Sequence, residues 1–101
     1  MSLEIQAKDD RLQEIIKKKS QPYFERGMVA VIKQRPLRTF EEAADFIKPK
    51  LLEHGLDEWW AEAMACTFAR SYIAGIVAAA RLVAPDLEER VAPQLNTATE
   101  K

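Results

Sequence analysis

The stretch LDEWWAEAMACTFARSYIAGIVAAARLVAP, residues 56–85, decides the fold because it holds the longest uncharged helical pattern in the chain. On a helical wheel of about 100° per residue, its large side chains form one ridge and only a narrow strip suits water. A helix that is apolar on most of its circumference is a buried helix. We therefore predict a central packing helix. The ridge consists of Trp60, Met64, Phe68, Tyr72 and Ile76.

The same stretch raises the question of a membrane anchor. A spanning helix needs about 20 predominantly apolar residues. The uncharged run between Arg70 and Arg81 has ten residues and includes Gly75. Glu58 and Glu62 interrupt the longer pattern on its N-terminal side. The sequence therefore favours a buried soluble helix, and we expect no membrane partner.

Capping residues bracket the two helices in the middle of the chain. Asp57 can cap the start of the long helix, and Gly55 can end the helix before it. The motif TFEE at 39–42 is a capping box, in which Thr39 accepts from the backbone N–H of Glu42 and Glu42 reaches back. We predict a helix from about residue 40, bent or shortened at Pro49 because proline removes a backbone hydrogen bond.

The N-terminal third predicts helical structure with one ambiguous point. A first short helix ends near Lys17–Lys19, where positive charge is favoured at a helix C-terminus. At Pro22 the pattern allows two interpretations: a new helix capped by Ser20, or one helix kinked through the proline. The residue before Pro36 is pushed out of helical geometry, which ends this segment.

The C-terminal end predicts a short helical turn and a tail. The segment PDLEERVAP, residues 85–93, can form one or two turns, which we expect Pro93 to stop. Residues 94–101 are polar and predict a flexible tail. The predicted fold is therefore all-α: a compact four-helix domain over residues 1–93, with a long central apolar helix and a short C-terminal helical turn.

Composition bounds the class of protein. The chain has 101 residues, of which 48% are hydrophobic and 31% charged, which predicts one globular domain. A formal net charge of -1 disfavours a general nucleic-acid binder, since such proteins are usually strongly basic. Cys66 is the single cysteine, so no internal disulfide framework is possible. We expect a reducing, cytoplasmic compartment, and the residues MSLEIQAKDD do not resemble a signal peptide.

No residue pattern indicates catalysis. His54 is the only histidine, and the acids around it match no metal-ligand spacing. Cys66 lies on an apolar helix face with no histidine to activate it, so we expect an inert buried thiol. The three glycines do not form a phosphate-binding loop. We predict a protein that is not an enzyme, with no catalytic residues, no metal and no cofactor.

Protein–protein contact is the leading functional hypothesis, with a homodimer as the expected assembly. Small residues recur at four-residue steps in the long helix, where a second backbone can approach closely. The two adjacent tryptophans point about 100° apart, so one of them can anchor an interface. The candidate interface residues are Trp59, Trp60, Ser71, Gly75 and Ala79.

Two alternatives belong to other functional classes. One is a small-ligand binder with an aromatic pocket lined by Trp60, Met64, Phe68 and Tyr72, with Trp59 close by. The other is accessory nucleic-acid binding through two basic clusters, whose phosphate contacts would be Lys17, Lys18, Lys19, Lys33, Arg35 and Arg38. Solvated helix ends explain the basic clusters more simply, so nucleic acid is the least favoured partner.

Overall fold

A computed structural model describes the backbone of residues 3–100 and the side chains of residues 14–95. Its four helices are α1 (Leu3–Ile32), α2 (Phe40–Glu53), α3 (Glu58–Val83) and α4 (Pro85–Glu100). No strand occurs between residues 3 and 100. The predicted all-α class, with four helices and a long apolar helix at the centre, is confirmed, because α3 packs against each of the other three helices.

Helix α3 is the centre of the molecule because its apolar surface needs cover on several sides. Ile73 and Ile76 are its largest fully buried side chains. They belong to a core cluster with Val31 of α1 and Val91 of α4. A second cluster, nearer the start of α3, joins Phe68 to Ile47 of α2. Helices α1 and α4 therefore cover the later part of α3 together, while α2 and Tyr23 of α1 cover its earlier part.

Helices α1 and α3 run in the same general direction and cross at very close range. Tyr23 stacks on Phe68, and one turn later Gly27 lies against the backbone of Tyr72 and Ile76. A Cβ atom at Gly27 would overlap the Tyr72 carbonyl oxygen. Gly75 has the same relation to the carbonyl oxygen of Phe24. Two glycines on facing helices thus allow the backbones to touch, which a side chain on either would prevent.

Thr39 and Asp57 cap α2 and α3 as the sequence predicts, but among side chains 14–95 the Glu42 carboxylate does not make the return bond of the capping box. The Thr39 hydroxyl accepts from Glu42 N at 3.2 Å. The Asp57 carboxylate accepts from Trp60 N at 2.8 Å. Gly55, with φ of 92°, follows the C-cap residue His54 and has the left-handed conformation that glycine tolerates. Leu56 N and Gly55 N then donate back to the last carbonyls of α2, which closes the helix end.

Pro22 does not divide the N-terminal region into two helices. It lies inside α1, which continues from Leu3 to Ile32. The Ser20 hydroxyl donates to the Lys17 carbonyl oxygen at 2.9 Å, so Ser20 is not an N-cap. Of the two interpretations open in the sequence, the single helix through the proline is therefore confirmed.

The prediction that Pro93 stops the C-terminal segment is wrong. Pro93 lies inside α4, which continues to Glu100. The residue after it is held to the rest of the protein, because the Gln94 side-chain oxygen accepts from Phe40 N at 3.1 Å. Leu95 packs against the core cluster that contains Val91. Flexibility of residues 94–101 stays a prediction, but their first two residues contact the globular part.

Helix α3 is long and apolar enough, by length and composition alone, to cross a membrane. About half of its most apolar 18-residue window is buried by the other helices, and the core helix of a soluble protein passes the same test. The composition of α3 is therefore weak evidence for a membrane span. The expectation of no membrane partner stays a prediction.

Candidate functional site

The most exposed aromatic surface lies at the start of α3. Trp59 is 70% exposed and Trp60 is 46% exposed. Their ring centroids are 4.9 Å apart at an interplanar angle of 89°, so the edge of one ring meets the face of the other. Leu52, near the end of α2, is also exposed. These three exposed apolar residues, named here the tryptophan patch, lie on either side of the connection between α2 and α3, with Leu52 before it and the two tryptophans after it.

Acidic side chains surround the tryptophan patch. Asp57, Glu58 and Glu62 are all exposed on the first turns of α3. Lys48 of α2 is the nearby cation, with its Nζ 3.6 Å from Glu58 and 3.4 Å from Glu62. Both pairs are exposed to solvent, so they contribute little to folding stability. The surroundings of the patch therefore carry an excess of negative charge.

The other candidate interface residues lie inside the chain. Gly75 and Ala79 are buried, and Gly75 contacts the backbone of α1. Ser71 is half-buried on the same helix. The close backbone approach predicted at Gly75 does occur, but its partner is α1 of the same chain rather than a second copy. Only Trp59 and Trp60 of the five candidates leave large apolar surface open to a partner.

The predicted aromatic pocket on the α3 ridge is largely filled by the protein itself. Phe68 is buried and stacks on Tyr23 at a centroid distance of 4.8 Å. Met64 packs against the cluster formed by Ile47 and Phe68. Trp60 is exposed and lines neither of the two cavities described below. Of the four predicted pocket residues, Tyr72 lines both of these cavities and the other three line neither.

The smaller cavity, of about 160 Å³, lies where α1, α2 and α3 meet. Its apolar walls are Ala43, Phe46 and Ile47 of α2, with Tyr23 of α1 and Tyr72 of α3. The guanidinium groups of Arg26 and Arg38 complete the lining. We name this space the aromatic cleft. Arg26, Arg38 and Tyr72 also line a wider open groove of about 720 Å³, which Arg35 and Glu25 border.

The cationic groups of the aromatic cleft rest on ring faces. The Arg38 guanidinium lies 4.3 Å from the centroid of the Phe46 ring, and Lys50 Nζ lies 4.1 Å from it. The Arg26 guanidinium lies 5.2 Å from the Tyr23 ring. Among side chains 14–95, none of these three cations is within 4.0 Å of a carboxylate oxygen. The two arginines therefore bring positive charge to a mostly apolar space, whereas Lys50 lies on the Phe46 ring without lining the cleft.

The predicted phosphate contacts are only partly brought together. Arg35 and Arg38 border the same wider groove. Lys33 is exposed just after the end of α1 and lines neither cavity. Lys17, Lys18 and Lys19 are exposed on α1, before Pro22. Arg26 and Tyr23 are not among the residues predicted from the sequence. Their spacing of three residues indicates a shared helix face only once α1 continues through Pro22.

The remaining reactive residue types line neither of the two cavities. His54 is the exposed C-terminal cap of α2, as expected for a histidine beside a capping glycine. Cys66 is a free, half-buried thiol. Within the part of the chain whose side chains are described, no three His, Cys, Asp or Glu residues are grouped to hold a metal ion.

Comparisons with protein-family models, with curated proteins and with solved structures find no match for this chain. Its functional surfaces are therefore identified by their geometry and chemistry alone. Two stand out: the tryptophan patch with its acidic surroundings, and the aromatic cleft with its arginines.

Proposed function

We propose that the chain is a non-enzymatic interaction module that binds a protein partner through the tryptophan patch. The observation that carries this proposal is the exposure of Trp59 and Trp60 on a helix whose other aromatic side chains, Phe68 and Tyr72, are buried or half-buried. Tryptophan is enriched among the residues that dominate binding energy at protein interfaces. The tryptophan pair is therefore a stronger candidate anchor than the exposed aliphatic pair of Leu82 and Val83, since leucine and valine are under-represented among such residues.

The acidic surroundings of the patch favour a basic partner. Asp57, Glu58 and Glu62 would be brought close to positive charge if the partner carried lysine or arginine beside its apolar residues. Opposite charge at the edge of an interface accelerates association and excludes wrong partners more than it adds affinity. We therefore propose a basic, amphipathic protein segment as the ligand of this patch.

A symmetric homodimer through the same patch is the competing assembly. In a two-fold contact each subunit presents the same surface, so the acidic groups of one copy would approach those of the other. Such like-charge contacts oppose association. The homodimer therefore stays a prediction, and the basic partner is the stronger proposal for the tryptophan patch.

The experiment uses two synthetic helical peptides that share the same leucine positions. One carries lysine and arginine at its polar positions, and the other carries glutamate there. We expect saturable binding of the basic peptide, with a blue shift of tryptophan fluorescence as the indole rings leave water. Trp59→Ala should weaken this binding about thirtyfold, as for a central interface residue. Binding should also weaken with added salt.

The matched control is Leu82→Ala. Leu82 is 79% exposed and lies at the other end of α3, about 35 Å from Trp59 along the helix. This variant should bind the basic peptide as the wild type does. The proposal is overturned if the basic and acidic peptides bind equally, or if Trp59→Ala and Leu82→Ala behave alike. Self-association measured by light scattering, with Trp59→Ala monomeric, would replace the basic partner with a second copy.

A further inference from the structure

We infer that the aromatic cleft is a binding site for a small aromatic carboxylate, meaning one ring that carries one carboxylate group. This site is separate from the tryptophan patch and does not depend on the protein-binding proposal. It uses residues from α1, α2, α3 and the connection between α1 and α2. The inference rests on three properties of the cleft: its size, its walls and its uncompensated positive charge.

The size of the cleft limits the ligand to a single aromatic ring. A volume of about 160 Å³ is close to that of an engineered apolar cavity of roughly 150 Å³ that binds benzene. A single six-membered ring fits such a space, whereas a fused two-ring system would extend into the wider groove. Most of the wall is apolar, which disfavours a bare, strongly hydrated anion such as phosphate.

The walls favour an aromatic ring over an aliphatic chain. Tyr23, Phe46 and Tyr72 come from three different helices and surround the same space. Aromatic rings gain from offset or edge-to-face contact in addition to the area they bury. The stacking of Tyr23 on Phe68 holds one of these walls against the core, so it does not have to be ordered when the ligand binds.

The arginines select the charged group. Arg26 and Arg38 lie at the cleft, and their present partners are ring faces rather than carboxylates. A cation above an exposed ring gains less than a guanidinium that makes two charge-assisted hydrogen bonds to a carboxylate. A carboxylate at the mouth of the cleft would therefore improve the interactions of both arginines, while Lys50 adds positive charge above Phe46.

The test uses benzoate and three relatives that each remove one property. Benzamide keeps the ring and loses the charge, acetate keeps the charge and loses the ring, and inorganic phosphate is a general anion. By titration calorimetry we expect one benzoate per chain with a dissociation constant between about 10 µM and 1 mM, given the small size of the ligand. Benzamide should bind at least about tenfold more weakly. Acetate and phosphate should show no saturation up to roughly 10 mM.

The variants are Arg38→Gln and Arg26→Gln, with Lys33→Gln as the matched control. All three remove one exposed positive charge, but Lys33 does not line the cleft. The two arginine variants should each weaken benzoate binding about tenfold, and the lysine variant should leave it unchanged. Helical circular dichroism and thermal unfolding verify that each variant is folded. Equal losses in all three variants would show that only net charge matters, which contradicts a built site.

Amide chemical shifts locate the ligand independently of affinity. On addition of benzoate, the largest shifts are expected near residues 23, 26, 38, 43–47 and 72. Shifts centred on Trp59 and Trp60 would move the site to the tryptophan patch and overturn the assignment. The inference is also overturned if benzamide or phosphate binds as tightly as benzoate, or if benzoate shows no saturable binding at all.

Discussion

Gln34 lies two residues after the last residue of α1 and has a left-handed backbone conformation, with φ of 53°. Two backbone hydrogen bonds satisfy the last carbonyl groups of α1. Arg35 N donates to the Ala30 carbonyl oxygen at 2.8 Å, and Gln34 N donates to the Val31 carbonyl oxygen at 3.1 Å. This is the arrangement that Gly55 forms after α2, but here a residue with a side chain occupies the glycine position. No sequence signal predicts this helix end, because glutamine does not favour the left-handed conformation as glycine does.

The strain at Gln34 leads to a prediction at the scale of one residue. The left-handed conformation costs an L-residue about 1–2 kcal/mol, whereas glycine costs about 0.5–1 kcal/mol through its freer unfolded chain. Gln34→Gly should therefore raise the free energy of unfolding by about 0.5–1 kcal/mol. Urea denaturation measures the change. The control is Lys33→Gly, one residue earlier and without a positive φ, which should lower the free energy of unfolding. A loss of stability in Gln34→Gly would mean that residue 34 does not have the left-handed conformation.

At the scale of the element, the start of α2 depends on one side chain. The Thr39 hydroxyl satisfies the N–H of Glu42, which has no partner within the helix. Thr39→Ala should lower the free energy of unfolding by about 1 kcal/mol. Thr39→Ser is the control, because serine keeps the hydroxyl and should retain most of the stability. If alanine and serine are equivalent in urea denaturation, the cap does not stabilise α2.

Helix caps can be predicted from the sequence, whereas the effect of a proline inside a helix cannot. Thr39, Gly55 and Asp57 act on backbone groups a few residues away, so their roles follow from local sequence. Proline is different, because the helix loses about 3 kcal/mol that distant contacts can offset. Pro22 stays inside α1 where the following turn packs on α3, and Pro93 stays inside α4 beside Val91. These compensating contacts come from other helices.

At the scale of the molecule, single site residues can be predicted from the sequence, but their grouping into one site cannot. The sequence predicts that one of the two adjacent tryptophans is free to anchor an interface, and the structure exposes both rings. Arg38 and Tyr72 were predicted separately, as an anion contact and as a pocket residue, and the structure places both at one cleft. Arg26 joins Arg38 and Tyr72 only because α1 packs closely on α3, and no local sequence pattern encodes that packing.

That packing provides the prediction for the whole molecule. A side chain at Gly75 would overlap the backbone of Phe24, so Gly75→Leu must push α1 away from α3. We expect the variant to lose about 3 kcal/mol or more, at the upper end of overpacking effects, with the molar mass of the wild type. Size exclusion with light scattering measures the mass over a range of concentrations, and urea denaturation measures the stability.

Ala74→Leu is the matched control, because it adds bulk to a half-buried position one residue earlier on α3. It should cost clearly less than Gly75→Leu and leave the mass unchanged. A wild-type dimer that Gly75→Leu converts to a folded monomer would contradict the assignment of Gly75 to a contact within one chain. Since the rings of the aromatic cleft lie on both helices of the crossing, Gly75→Leu should also weaken benzoate binding, whereas Ala74→Leu should not.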